Sequence, residues 1–191
     1  HLRAEVELTL GRLLGAFGGT SLLVTHDVEE AWRLASRFVV LVGGRVAADG
    51  PKGEVFAHPP TTTVARITGC KNLSRAAPTG ERTATALDWG AVPLVLDRPW
   101  PAGATHVGIR ANHVALVPPG SAGAVEATVV ATGESPFRQT LFLRIGAGGD
   151  LPPDGWHLRV EQPRGEGGTA AAGTRVAVLL APSRLFATRE G

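Results

Sequence analysis

The 191-residue sequence predicts an α/β segment over residues 1–69 followed by an all-β, barrel-like domain over residues 70–191. Three observations predict this. Apolar residues recur at helical spacing near the start, at Leu2, Val6, Leu10, Leu13, Leu14 and Phe17. Leu22-Leu23-Val24 is then a short apolar run of the kind a parallel sheet buries on both faces. Beyond Gly69 the helical period disappears, and short runs rich in Val, Thr and Leu alternate with Pro and Gly.

The elements follow in order. A helix is expected over residues 2–17, stopped by Gly18-Gly19. A buried strand over 21–25 follows, with 22–24 at its centre. Asp27 can accept from the free N–H groups of the next helix, and Glu30 can reach back to the cap, a capping-box pattern. That helix is expected over 28–36, with Val28, Ala31, Trp32 and Ala35 as its apolar stripe. Gly43-Gly44 separates runs 38–42 and 45–48, the spacing of a two-residue hairpin. Gly50-Pro51 opens a short helix that His58-Pro59-Pro60 ends. One more helix, 61–68, closes at Gly69.

Ten β runs are expected after that point: 72–77, 82–87, 92–97, 105–110, 115–117, 125–132, 139–145, 156–162, 175–181 and 185–188. Residues 146–149 and 164–173 are glycine-rich and read as loops. Two halves, 71–117 and 124–190, could be related, although no full repeat is legible.

Composition narrows the function. Nineteen Lys plus Arg against seventeen Asp plus Glu give a formal charge of +2, which does not point to a nucleic-acid partner. One cysteine, Cys70, excludes an internal disulfide framework. No apolar run approaches the ~20 residues that span a bilayer. The six histidines show neither an i,i+4 pair nor a carboxylate cluster, so no metal site is expected.

Thr25-His26-Asp27 followed by Glu29-Glu30-Ala31 resembles the switch-histidine segment of ATP-binding cassette (ABC) import ATPases. The downstream text continues the resemblance, in Ala35-Ser36-Arg37-Phe38-Val39-Val40-Leu41, Gly43-Gly44-Arg45-Val46, Gly50-Pro51, Glu54-Val55-Phe56 and His58-Pro59. Val107-Gly108-Ile109-Arg110-Ala111-Asn112-His113-Val114 is similar to a strand of the TOBE domain, with Ala111 and Asn112 where that strand usually has Pro-Glu. Gly69-Cys70-Lys71-Asn72-Leu73-Ser74 resembles the opening strand of the same domain. The resemblance therefore implies the end of a P-loop ATPase domain, residues 1–69, and a TOBE/OB-like barrel, residues 70–191.

The sequence contains no G-x-x-x-x-G-K-[ST] loop and no Gly-Lys dipeptide. The signature loop and the apolar run ending in Asp-Glu are missing too, and in the family all of these precede the switch histidine. With His1 in place of Met, the expectation is the carboxyl-terminal part of a longer chain, inactive in ATP hydrolysis by itself.

The resemblance implies that His26 contacts the γ-phosphate of ATP, the one catalytic candidate, with Asp27 beside it. A hydrogen-bonding group there suits phosphoryl transfer, which is largely positioning and charge stabilisation. The other readings are a structural histidine at a strand end and a plain helix cap at Asp27. ATP and Mg are implied for the complete parent only.

Ser135 and Arg138, in Gly133-Glu134-Ser135-Pro136-Phe137-Arg138-Gln139, could hold a tetrahedral oxyanion through hydroxyl, backbone N–H and guanidinium groups. Lys71 and Asn72 have the same status. The alternative is a polar turn with a solvated Arg. By resemblance the parent would belong to the molybdate/tungstate/sulfate importers, energising uptake of such an oxyanion. It would sit at the cytoplasmic inner face of the plasma membrane with membrane permease subunits, and form a homodimer. Two further readings stand beside it: an oxyanion-binding regulatory β-barrel, and a ligand-free dimerisation or assembly domain.

Overall fold

The structure, a computed structural model, describes residues 2–146, 154–165 and 170–191. Residues 147–149 and 166–169 of the two expected loops lie outside the described residues, as do the side chains of Leu2, Arg3, Ala4 and Glu7. The chain forms two compact units that meet at Pro60/Thr61, so the short helix expected over 61–68 belongs to the second unit.

The first unit opens with helix α1 (Leu2–Ala16) and continues with α2 (Val28–Leu34). Between them the expected strand is absent. Residues 21–25 have no regular structure, and Leu22 and Val24 are 87% and 86% exposed. The reason is physical: a strand exists only through its ladder, and among the described residues no neighbour offers this segment one. Strands β1 (Arg37–Val42) and β2 (Arg45–Pro51) form the expected antiparallel hairpin. Gly43 and Gly44 lie at φ of 56° and 74°, the left-handed pair a two-residue turn requires. Helix α3 (Lys52–Ala57) follows with Pro51 at its N-cap. Phe38, Val40, Ala48 and Val55 are buried, and Trp32 packs on Phe38 and Phe56 with ring centroids 6.2 and 4.9 Å apart. The opposite face carries exposed Val39 and Leu41, with Val46 exposed opposite Leu41, beside the Arg37–Asp49 ion pair at 2.7 Å.

The second unit begins with α4 (Thr62–Ile67). Ten strands follow: β3 (Asn72–Pro78), β4 (Thr83–Ala86), β5 (Val92–Val95), β6 (His106–Ile109), β7 (Ala115–Val117), β8 (Val125–Glu134), β9 (Arg138–Ile145), β10 (Leu158–Pro163), β11 (Arg175–Leu179) and β12 (Leu185–Thr188). Each falls on one of the ten expected runs. They pair as two five-stranded sheets, β12-β6-β3-β4-β5 and β10-β9-β8-β11-β7, antiparallel throughout.

Read from β7, the second sheet runs β7-β11-β8-β9-β10, so each half repeats the other's order. Each half supplies four strands to its own sheet. After a 3₁₀ turn, at Ala111–His113 or Pro182–Arg184, its fifth strand crosses to the other sheet. The halves 71–117 and 124–190 are thus related in topology and interlocked by exchanged strands. Burial follows from this exchange, because both sheets feed a single core. Trp89, Val107 and Ile109 from the first half meet Val129, Leu141, Leu143, Leu158 and Val160 from the second.

Candidate functional site

His26 sits in the connection between α1 and α2 and is exposed. The backbone on either side of it is held. The Asp27 carboxylate accepts from the N–H groups of Glu29 at 3.0 Å and Glu30 at 3.1 Å, which makes it the N-cap of α2. The expected reciprocal bond takes another route. Glu30 does not reach the Asp27 N–H; its carboxylate accepts from the Thr25 hydroxyl, whose oxygen in turn accepts from the Asp27 N–H at 3.0 Å. Thr25, Asp27 and Glu30 therefore close one ring of bonds around the turn, with His26 at its outer edge. The imidazole makes no hydrogen bond among the described residues. Such a ring can donate to or accept from an anionic oxygen near neutral pH.

The four oxyanion candidates are not brought together. Asn72, at the start of β3, is only 1% exposed. Its side-chain amide donates to the Arg159 carbonyl at 2.8 Å and accepts from the Arg159 N–H at 2.7 Å. The amide thus completes the outer edge of β10 as a neighbouring strand would, and ties β3 to the opposite sheet. Arg159 pairs with Phe142 on β9, four residues from Arg138, so the hairpin turn lies roughly 13 Å along the strand at about 3.3 Å per residue.

Ser135 and Arg138 do share a turn. The Arg138 N–H donates to the Ser135 hydroxyl at 3.1 Å, and the Ser135 N–H donates to the Arg138 carbonyl at 2.8 Å. The Arg138 guanidinium faces Glu161 at 3.6 Å. Backbone, hydroxyl and guanidinium are all engaged with this chain's own groups, as in a polar turn.

Lys71 is exposed and lines an open pocket with Arg66, Cys70 and Leu73. Sequence reasoning does not single out Arg66, because the pattern of 61–68 marks it only as a cation in the last turn of a helix. Arg110 is buried nearby, donating to the Thr68 carbonyl at 2.6 Å and to the Thr68 hydroxyl at 3.2 Å. Burial lowers its pKa to about 10. Burial also pushes the Cys70 thiol up to about 11, so this cysteine is not a nucleophile near pH 7. No group of three or more His, Cys, Asp or Glu that could hold a metal occurs among the described residues, and no helix among them is long and apolar enough to cross a membrane.

The chain is similar to ATP-binding proteins of ABC importers. The Fe(3+) ions import ATP-binding protein FbpC of Streptomyces coelicolor is 39% identical over 117 residues, 61% of this chain and 32% of the relative. The sn-glycerol-3-phosphate import ATP-binding protein UgpC of Chromohalobacter salexigens is 36% identical over 137 residues, 70% of this chain and 35% of the relative. The sulfoquinovosyl glycerol transport ATP-binding protein SmoE of Agrobacterium fabrum is 36% identical over 100 residues, 51% of this chain and 28% of the relative. The chain spans about a third of the length of the curated relatives it matches. No protein-family model matches it. The relatives agree with the resemblance to import ATPases, and none of these three is named for molybdate, tungstate or sulfate.

Proposed function

We propose that this chain is the carboxyl-terminal portion of the ATP-binding subunit of an ABC importer. It works in pairs at the cytoplasmic face of the membrane, against permease subunits. His26 contacts the γ-phosphate side of ATP, whose hydrolysis supplies the driving force. Asp27 serves as the cap that positions the turn. Mg and the phosphate-cradling loop belong to polypeptide outside this sequence, which has no Gly-Lys dipeptide. The β unit is an assembly domain.

One observation carries this reading. The first unit presents apolar groups on surfaces that an isolated small domain would keep polar: Leu22, Val24, Val39, Leu41 and Val46 are all exposed. Exposed Val39, Leu41 and Val46 on the second face of the hairpin suit a sheet covered on both sides, and the hairpin lies one helix beyond the capped turn that carries His26. The similarity to import ATP-binding proteins supports the same reading.

Grafting tests it. Residues 1–191 replace the matching segment of the Streptomyces coelicolor Fe(3+) import ATP-binding protein, and ATP turnover is measured. The graft is expected to hydrolyse ATP, and residues 1–191 alone to show none. A soluble graft that binds nucleotide without turning it over would overturn the proposal.

A further inference from the structure

The end of α4 is closed by a tight local network. Gly69, at φ of 88°, donates its N–H to the Arg66 carbonyl at 2.9 Å, and the Cys70 N–H donates to the Ala65 carbonyl at 2.8 Å. This is the Schellman arrangement, in which a left-handed glycine lets the chain turn back over the last helical carbonyls. The Thr68 N–H donates to the Val64 carbonyl, and Arg110 occupies the Thr68 carbonyl from below. The Val64, Ala65, Arg66 and Thr68 carbonyls, which would repel an anion at a helix C-terminus, are thereby partnered by this chain's own donors.

The turn places Arg66 and Lys71 at one open pocket, with Leu73 and the buried Cys70 as its other lining. Both cations are exposed, and neither makes a hydrogen bond or ion pair among the described residues. The charged groups that act on the Cys70 thiol are Arg110, Lys71 and Arg66, all cations. Some exposed arginines of the second unit face carboxylates: Arg75 meets Asp88 at 2.7 Å, Arg138 meets Glu161, and Arg164 meets Glu134 at 3.5 Å. At this pocket two cations converge with no acidic residue in the lining.

We propose that the pocket lined by Arg66, Lys71, Cys70 and Leu73 binds a small dianion of the phosphate class. A guanidinium offers paired donors to two oxygens of such an anion. An ammonium opposite it supplies the second positive charge, and Leu73 gives an apolar wall for the carbon part of a phosphomonoester. This site goes beyond the proposed ATPase role and shares no residue with the His26 loop, so either can fail without the other.

Calorimetry on residues 1–191 tests the site, with inorganic phosphate and phenyl phosphate as separate titrants against chloride at matched ionic strength. Saturable binding of phosphate is expected, with tighter binding of phenyl phosphate if the apolar wall is used. Arg66→Gln and Lys71→Gln should each weaken binding about 5-fold or more, and the double variant about 20-fold or more, while Arg45→Gln on the β1–β2 turn leaves it unchanged. Circular dichroism of the double variant should match the parent, because both side chains are exposed. Heats no different from chloride, or a folded double variant that binds phosphate like the parent, would overturn the proposal.

Discussion

Replacing Asn72 with alanine removes the one side chain that completes the outer edge of β10. Two hydrogen bonds disappear, at 2.8 and 2.7 Å. A typical bond contributes a net of about 1 kcal/mol, and a backbone group left unpaired in a buried place loses about 1–3 kcal/mol more. The Arg159 backbone is only part-buried, so water recovers some of that loss, and about 2–3 kcal/mol is expected in all. For a unit the size of Thr61–Gly191, each kcal/mol moves the Tm by roughly 3–4 °C, so the melting point should fall by about 6–12 °C. Asn72→Leu should fall at least as far, since it keeps the volume and supplies neither bond. The assay is thermal unfolding followed by near-ultraviolet circular dichroism of the buried Trp89, with hydrogen exchange at the Arg159 amide as a local readout. If both variants melt within about 2 °C of the parent and the Arg159 amide stays protected, the role assigned to this amide is wrong.

Three further outcomes are expected. A Cβ at Gly108 would lie 2.3 Å from the Phe186 ring and 2.9 Å from Leu73, so Gly108→Ala should destabilise by about 1–3 kcal/mol in denaturant unfolding through overpacking. The Asp88 carboxyl is drawn upward by burial, but the Arg75 side chain, the Arg75 N–H, the Arg75 charge and the His106 ring outweigh this and hold its pKa below the ordinary value. A lowered folded pKa contributes stability above the unfolded pKa of about 3.9 and loses it as pH falls through the folded value; the stability gap between parent and Asp88→Asn should therefore narrow from about pH 5 downward in pH-dependent unfolding. Leu22→Ser and Val24→Ser should each change the stability of residues 1–191 by under about 0.5 kcal/mol, because both side chains are exposed, yet should impair ATP turnover in the graft, where a completed sheet covers them.

Much of this fold is legible where the determining interactions are local. Alternating Val, Thr and Leu broken by Gly and Pro locate all ten strands of the second unit. Gly43-Gly44 fixes the first hairpin, and Asp27 caps the helix it precedes. What escapes local reading is pairing. Run 22–24 has the composition of a strand but no ladder among the described residues. The crossing of β7 and β12 between sheets depends on partners far along the chain: β12 lies beside β6, whose Ile109 is opposite Leu185. The candidate site follows the same division. The Asp27 cap is visible in sequence, whereas the Thr25 hydroxyl linking Glu30 to the Asp27 N–H is not. Asn72 reads as a polar group at a strand start, and only the register of β10 reveals that its amide is already matched. Arg66 becomes notable only once the turn at Gly69 brings Lys71 alongside it.

The central claim is that the imidazole at position 26 acts on a nucleotide. ATP turnover by the graft carrying His26, compared with the same graft carrying His26→Ala, tests it most directly. Removing a group that stabilises developing charge in a transition state typically lowers the rate by about 100-fold or more, and that fall is expected here with nucleotide binding retained. Equal turnover by the two grafts would contradict the account.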